Sequence, residues 1–141
     1  YTLSLHDALP ILNLIRKSEA IPASSVLNER CKMDTKIKKI RELNDNLRQN
    51  FTGGRVLITR GVAELPTDKQ LEIMEKVRNF SNFNKDNDPN GEHDFGAFDV
   101  DSITYFWKID YYDVDYQYLS LDPSDETITN RVLTVLLAEE Y

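Results

Sequence analysis

The densest group of chemically capable side chains lies in residues 86–96, which read DNDPNGEHDFG. This stretch holds three Asp, one Glu and one His, with Glu92, His93 and Asp94 consecutive. An imidazole beside carboxylates is an arrangement that general acid–base catalysis and metal binding both use. The segment is therefore the first candidate site, although no motif in the sequence specifies one reaction or one ligand.

The same stretch partly matches a calcium-binding EF-hand loop. Its oxygen-bearing residues and its glycine fall on that pattern at Asp86, Asp88, Asn90, Gly91 and Asp94. The last position, which needs a bidentate Glu, is Ala97, so a true EF-hand is not predicted. Two interpretations stay open. One is a looser divalent-cation site formed by Asp86, Asp88, Asn90 and Asp94, the only cofactor considered, and the other is a turn whose side chains accept backbone hydrogen bonds.

A catalytic role for Glu92, His93 and Asp94 needs side chains from elsewhere, because an extended triplet points His93 away from the two carboxylates. Lys108 and Asp110 alternate onto one face of a predicted strand and could complete the set. His93 would then be a general base oriented by Asp110, and Lys108 would stabilise an anion. The metal ligands would be Glu92, Asp94 and Asp110. The alternative is a structural network in which His93 and Lys108 pair with carboxylates and tie the loop to the sheet.

The elements that must position these residues follow from hydrophobic periodicity and from turn residues. We predict a helix from Asp34 or Thr35 to about Asn50, a strand at 55–59, a helix from Pro66-Thr67 to Phe80, strands at 95–99, 103–112 and 116–121, and a helix from Pro123 to Tyr141. The order α-β-α-β-β-β-α predicts an α+β fold, with an antiparallel sheet of about four strands under three helices.

Each predicted helix carries an apolar stripe at intervals of three and four residues. The stripes are Ile37, Ile40, Leu43 and Leu47, then Leu71, Met74, Val77 and Phe80, and finally Ile128, Val132, Val135 and Leu136. Thr67 and Gln70 have the spacing of a capping box at the start of the second helix. We expect all three stripes to face the core.

Aromatic residues crowd the predicted hairpin. They are Phe106, Trp107, Tyr111, Tyr112, Tyr116 and Tyr118. Asp110, Asp113 and Asp115 are interleaved with them, so a phosphate backbone would be repelled and nucleic-acid binding is disfavoured. Core packing and cross-strand pairing is the favoured role of these rings. An acidic, Tyr-bearing surface also suits a protein partner, or mimicry of a nucleic-acid backbone toward a basic protein.

Composition indicates an ordinary globular protein. The chain has 141 residues, a net charge of -7 and 29% charged residues. No apolar run is long enough to cross a bilayer, and the single Cys31 suits a reducing compartment, so we expect a cytoplasmic protein. Residues 33–61 carry seven basic and three acidic side chains, whereas residues 62–141 carry six and eighteen. The basic first helix is expected to offset part of the field of the acidic remainder.

The first 32 residues are expected to be foreign to the domain. Residues 1–11, YTLSLHDALPI, back-translate to a universal short-read sequencing adapter read in one frame. Residues 12–32 show no clear period and end just before Met33, where helical patterning begins. We therefore expect residues 1–32 to be adapter and translated upstream sequence without order, and residues 33–141 to form one α+β domain.

Four segments carry a resemblance to a known family: FTGGRV at 51–56, NDPNGEHDFGAF at 87–98, FWKIDYYD at 106–113 and RVLTVLLAEEY at 131–141. With these, residues 33–141 closely resemble the bacterial domain of unknown function 3768 family. The resemblance implies a small bacterial protein, often carried on plasmids and other mobile elements, and attaches no function to it.

Two functions from different classes remain. The first is a small accessory protein that binds another macromolecule, in the service of a mobile element. The alternative is a metal-dependent hydrolase or nuclease that uses the Glu92-His93-Asp94 loop with Lys108 and Asp110. An enzyme requires these groups to converge on an open cleft. A binding protein predicts that they are consumed in mutual pairs while an acidic and aromatic patch stays exposed.

Overall fold

The computed structural model describes residues 23–141. They form the helices α1 (Ala23–Asn50), α2 (Arg60–Ala63) and α3 (Thr67–Arg78), the strands β1 (Arg55–Ile58), β2 (Phe95–Val100), β3 (Ile103–Tyr112) and β4 (Asn130–Leu137), and a closing 3₁₀ helix, Ala138–Glu140. The predicted α+β class is confirmed. The order of elements differs from the prediction, since the chain runs α-β-α-α-β-β-β.

The four strands form one mixed sheet in the order β1-β4-β3-β2. β3 pairs antiparallel with both β2 and β4. β1 pairs parallel with β4, from Arg55 opposite Val132 to Ile58 opposite Val135. The expectation of a purely antiparallel sheet is therefore wrong at the β1 edge, because the last strand inserts between β1 and β3.

The predicted third helix, from Pro123 to Tyr141, is wrong, since residues Asn130–Leu137 form β4. This strand lies inside the sheet and is covered on both faces, so Val132, Leu133, Val135 and Leu136 are all buried. A strand buried on both faces reads as a continuous apolar run, which periodicity alone does not distinguish from a buried helix. The β-branched Val132, Thr134 and Val135 were the sequence signal that favoured a strand.

The predicted strand at 116–121 is also wrong. Only Leu119 forms a bridge, opposite Tyr112, at the end of β3. Tyr116 takes a left-handed conformation with φ 57°, and its N–H donates to the Asp113 carbonyl across a turn. The chain therefore bends away from the sheet edge, and residues 113–129 form a long loop between β3 and β4.

α1 begins at Ala23, well before the predicted caps Asp34 and Thr35. Residues 23–50 contain neither Gly nor Pro, so nothing in the local sequence breaks the helix at 34. The Thr35 hydroxyl donates to the Cys31 carbonyl within the helix. Of the segment 1–32, residues 1–22 lie outside the described part of the chain, and residues 23–32 form the exposed first turns of α1.

α3 begins at Thr67, next to Pro66, but lacks the predicted capping box. Gln70 instead donates from Nε2 to the carbonyls of Ala63 and Leu65, at 3.0 and 2.8 Å. Its buried face is centred on Ile73 and Val77, while Leu71 is 66% exposed. The predicted stripe was therefore wrong at Leu71.

The core lies between one face of the sheet and the helices α1 and α3. β3 alternates, and its odd-numbered residues Tyr105, Trp107, Ile109 and Tyr111 are buried toward the helices. Trp107 is fully buried, and the rings of Phe80 and Phe83 meet it edge to face. No helix in the described part of the chain is long and apolar enough to cross a membrane.

Candidate functional site

His93 is held against α1 by the loop that precedes β2. Its backbone is left-handed, with φ 54°, and its ring stacks on Phe83 with centroids 3.7 Å apart and planes 5° apart. Nδ1 lies 2.9 and 3.1 Å from the two carboxylate oxygens of Asp45. One face of the imidazole is thus covered by Phe83, and one ring nitrogen contacts Asp45.

Asp88 closes the turn beneath His93. Its buried Oδ1 accepts the backbone N–H of His93 at 3.1 Å, and Oδ2 lies 3.7 Å from Nε2 of the same residue. The Asp88 N–H donates to the Asn84 carbonyl, and its own carbonyl accepts from Gly91. Asp88 is therefore a turn residue that also faces the imidazole, as the structural interpretation predicted.

Arg48 connects this histidine to the end of α3. Arg48 is 1% exposed, and its Nη1 donates to the carbonyls of Val77, Arg78 and Phe80 at 2.9 to 3.0 Å. Nη2 donates to Asp45 at 3.0 Å, the same carboxylate that contacts His93. The positive charge of Arg48, on α1, thus binds the last carbonyls of α3.

A second buried network surrounds Asn44, which is fully buried on α1. Its amide nitrogen donates to the Tyr111 hydroxyl at 2.7 Å and to the Glu92 carbonyl at 3.0 Å. Its amide oxygen accepts from Nε of Arg131 at 2.9 Å. Tyr111 in turn donates to Oε2 of Glu92 at 2.8 Å. One amide therefore joins a helix, two strands and the loop.

The environment of this network shifts two pKa values. Burial, followed by the nearby carboxylates of Glu92 and Asp94, raises the pKa of Tyr111 well above its ordinary value. Burial also lowers the pKa of Arg131, against the opposing effect of Tyr111 and the acidic groups. Tyr111 is thus a neutral hydrogen-bond donor, and Arg131, whose guanidinium lies over the Tyr111 ring, remains a cation.

Lys108 and Asp110 lie on the other face of the sheet. β3 alternates, so these even-numbered residues point away from Tyr111 and from the helices. They pair with each other, Nζ to Oδ2, at 2.9 Å. Burial lowers the pKa of Lys108, but the hydrogen bond and charge of Asp110 outweigh it and leave the pKa raised. The predicted catalytic set is therefore divided between two faces of the sheet, and Asp110 does not orient His93.

The residues that were predicted to bind a cation have separate structural roles along the loop. Asp88 is buried in the turn, and the exposed Asp86 donates its N–H to the Asn84 side chain. The Asp94 carbonyl accepts from Ile109, and its charge acts on Tyr111. Asn90 and Gly91 form the tip of the turn, with Gly91 at φ 70°. Within residues 23–141 no group of three His, Cys, Asp or Glu side chains could hold a metal ion.

The partners that complete these networks were not predicted from the sequence. They are Asn44, Asp45, Arg48, Tyr111 in its polar role, and Arg131. One signal was available for two of them: the buried residues of α1 are Ile40, Asn44, Leu47 and Arg48, a helical spacing that places polar groups on the apolar stripe. A buried Asn or Arg at such a position must be hydrogen-bonded, so it indicates a network.

A cleft of about 400 Å³ lies at the C-terminal end of α3. It is lined by Gln49, Arg78, Asn79, Phe80 and Ser81. None of these is a carboxylate or a histidine, so the cleft does not collect the side chains that acid–base or metal chemistry requires.

Residues 113–129, between β3 and β4, form what we call the acidic loop. It carries five acidic side chains and no Lys or Arg: Asp113, Asp115, Asp122, Asp125 and Glu126. Among its apolar residues, Val114 is 57% exposed, Tyr118 is 73% exposed and Leu121 is 95% exposed. Large apolar side chains at such exposure, grouped with one sign of charge, are typical of interaction surfaces.

The acidic loop is braced from within. Asp113, Asp122 and Asp125 accept hydrogen bonds from backbone N–H groups two to four residues ahead, at 2.9 to 3.1 Å. Ser120 and Thr129 bond to each other at 2.6 Å, and Arg131 donates to the Pro123 carbonyl. The hydrogen bond from Ser124 is the main cause that lowers the pKa of Asp122. The exposed side chains are therefore presented on an ordered backbone.

Comparison with known proteins gives one match. The family model described as "Protein of unknown function (DUF3768)" matches residues 58–140. The matched region covers β1's last residue through the 3₁₀ helix, and so includes the Glu92-His93-Asp94 loop and the acidic loop. Searches of curated proteins and of solved structures returned no match. This chain belongs to the DUF3768 family.

Proposed function

We propose that the protein acts by binding another protein through the acidic loop, as a small accessory protein. One contrast carries the proposal. The side chains that could do chemistry are engaged with one another, while the acidic loop presents apolar and acidic groups to solvent.

The engagement of the reactive groups supports binding over catalysis. His93 contacts Asp45, Glu92 accepts from Tyr111, and Lys108 pairs with Asp110 on the opposite face. A general base must reach a substrate proton directly or through one water, and a metal site needs several ligands at one point. His93 and Glu92 link the loop to α1 and β3, whereas Lys108 and Asp110 pair within β3. No observation favours the hydrolase alternative.

The order of the acidic loop supports the same role. A loop that is already fixed by its own hydrogen bonds loses little conformational entropy when a partner binds. Exposed Tyr and Leu side chains on such a backbone supply contact area, and aromatic residues are enriched in interface cores.

Charge restricts the class of partner. The five carboxylates of the acidic loop would repel phosphate groups, so nucleic acid and anionic membranes are disfavoured and a protein is favoured. A cytoplasmic role beside a plasmid or another mobile element is the setting that we propose for this interaction.

The experiment is affinity capture from a bacterial lysate with the full chain and two variants. Tyr118→Ser with Leu121→Ser removes the exposed apolar groups of the acidic loop. Leu71→Ser is the matched control, since Leu71 is similarly exposed but lies on α3. Melting curves establish that both variants stay folded.

We expect to capture a protein that the wild type and the Leu71→Ser variant both retain and that the loop variant does not. Equal capture by all three proteins would contradict it. Hydrolysis of a phosphodiester by the wild type that Lys108→Ala abolishes would contradict it as well, because the enzyme alternative would then hold.

A further inference from the structure

Two cationic side chains from other parts of the chain contact the acidic loop, each in a different way. Lys36 of α1 places Nζ 3.2 Å from Oδ2 of Asp122. The guanidinium of Arg55, on β1, lies over the ring of Tyr116 at 4.3 Å from its centroid. A carboxylate thus pairs with a lysine, and a tyrosine face binds an arginine by a cation–π contact.

The same two types of group also face solvent. Asp115 and Glu126 are exposed acids in the acidic loop, and Tyr118 is an exposed ring. In the same loop, Val114 and Leu121 offer aliphatic surface at 57% and 95% exposure. The solvent-exposed acids and ring of the acidic loop are therefore of the same types as those that contact Lys36 and Arg55. Exposed aliphatic side chains add an apolar component.

Resting on the proposed function, we propose that the partner presents a cationic, amphipathic segment to the acidic loop. Lys or Arg side chains of this segment pair with Asp115, Glu126 and the face of Tyr118. Its aliphatic side chains pack on Leu121 and Val114. Lys36 supplies an internal precedent, since it reaches Asp122 from a helix that carries seven Lys and Arg residues.

Charge alone would not give this specificity. Exposed ion pairs each contribute little to binding and are screened by salt. Buried apolar anchors at the centre of an interface contribute more, and they separate a matched segment from any other cation. The partner is therefore distinguished by its aliphatic side chains as well as by its charge.

The test is a fluorescence anisotropy titration of the full chain with three labelled peptides. The first is an amphipathic helix of alternating Lys and Leu faces, the second is oligolysine of equal charge, and the third is the first peptide with Glu in place of Lys. The variants are Tyr118→Ser with Leu121→Ser, Asp115→Asn with Glu126→Gln, and the control Leu71→Ser.

We expect the amphipathic cationic peptide to bind at least about tenfold more tightly than oligolysine, and the acidic peptide not to bind. The Tyr118/Leu121 variant should weaken binding about tenfold or more. The Asp115/Glu126 variant should weaken it by about fivefold and reduce its dependence on salt. Leu71→Ser should leave it unchanged.

Equal binding of the amphipathic peptide and oligolysine, or no effect of the Tyr118/Leu121 variant, would overturn the inference, as would no binding at all. Such a failure is separate from that of the proposed function. If lysate capture still depends on Tyr118 and Leu121, the acidic loop binds a protein of different chemistry.

Discussion

At the scale of single residues, the stability of the site depends on a few buried polar side chains rather than on the acidic segment that first draws attention. Asn44 is the clearest example, because its one amide satisfies groups on Glu92, Tyr111 and Arg131. Each of these partners is itself buried. A buried polar group that loses its partner costs more than a hydrogen bond contributes.

Replacing Asn44 with Ala should lower the free energy of unfolding by about 2–4 kcal/mol, because it leaves buried polar and charged groups unsatisfied. Urea or thermal unfolding measures the effect. Asn50→Ala is the control, since Asn50 is exposed on the same helix and bonds only to Asn46 among the described residues. Equal losses for the two variants would mean that the Asn44 network contributes nothing beyond a surface hydrogen bond.

Glu140 gives a pH-dependent contribution at the end of the chain. Its pKa is lowered, chiefly by the hydrogen bond from Thr59 and then by the N–H groups of Leu137 and Gly61. A lowered folded pKa means that the stabilisation is present above the ordinary Glu value and is lost as pH falls through the folded value.

Glu140→Gln should therefore destabilise the protein by about 0.5 kcal/mol near pH 7, a small effect because the group is exposed. The difference from wild type should shrink toward zero as pH falls through the lowered pKa of Glu140. Unfolding curves across this range test it. A difference that stays constant with pH would show that the carboxylate charge is not what binds Thr59.

At the scale of elements, Arg48 joins α1 to α3. Arg48→Lys keeps the charge but cannot donate to three carbonyls and to Asp45 together, since an ammonium lacks the planar fork. We expect a loss of about 2–3 kcal/mol of unfolding free energy, measured by urea unfolding. Arg78→Lys, at a half-exposed position on α3, is the control and should cost less than about 1 kcal/mol. Equal costs would contradict the role of Arg48.

Asp45 fastens the loop that carries His93. Asp45→Asn removes the charge that faces both His93 and Arg48, so the loop should open more often. Lys85 is exposed in this loop, and trypsin cleaves after it only when the chain opens. A loss of about 1–2 kcal/mol in closure should speed this cleavage about 5- to 30-fold, as followed by mass spectrometry. Glu42→Gln, at an exposed position on the same helix as Asp45, should leave the rate unchanged, and an equal acceleration there would refute the fastening.

The elements differ in how well local sequence predicts them. β3 was predicted from Ile103 to Tyr112 with both ends correct, because its alternation of buried and half-buried residues matches a strand with two different faces. β4 was missed because both its faces are buried, and the pattern then carries no period. Its parallel pairing with β1 is a long-range contact that no local pattern contains.

The candidate site, like the strands, was predictable from local sequence only in part. The loop residues His93 and Asp88 could be found from their types and spacing, and their pairing with carboxylates was one of the two expected outcomes. The partners Asp45 and Arg131 lie far from them along the chain, so only the fold brings them together. That His93 and Lys108 fall on opposite faces follows from the register of β3, which the sequence order of the motifs does not reveal.

At the scale of the whole molecule, basic and acidic side chains are concentrated in different parts of the chain. The basic residues of 33–61 lie mainly on α1, whereas the acidic loop carries five carboxylates and no basic residue. Lys36 with Asp122, and Arg55 with the ring of Tyr116, are contacts between these two regions. His93 contacts α1, Glu92 contacts β3, and Lys108 pairs with Asp110 on the far face of the sheet. The exposed acidic loop is the surface through which we propose that the protein binds a partner.

We predict that the side chains around His93 stabilise the fold without a metal ion. The most direct measurement is the melting temperature of the full chain with EDTA and with saturating Ca²⁺, Mg²⁺, Mn²⁺ or Zn²⁺, repeated for Asp94→Ala. A cation at about a hundred times its dissociation constant adds roughly 2.7 kcal/mol, which raises the midpoint by on the order of 10 °C. We predict shifts of no more than about 1 °C with every cation. A rise on the order of 10 °C that disappears in the Asp94 variant would contradict the account and establish the loop as a metal site.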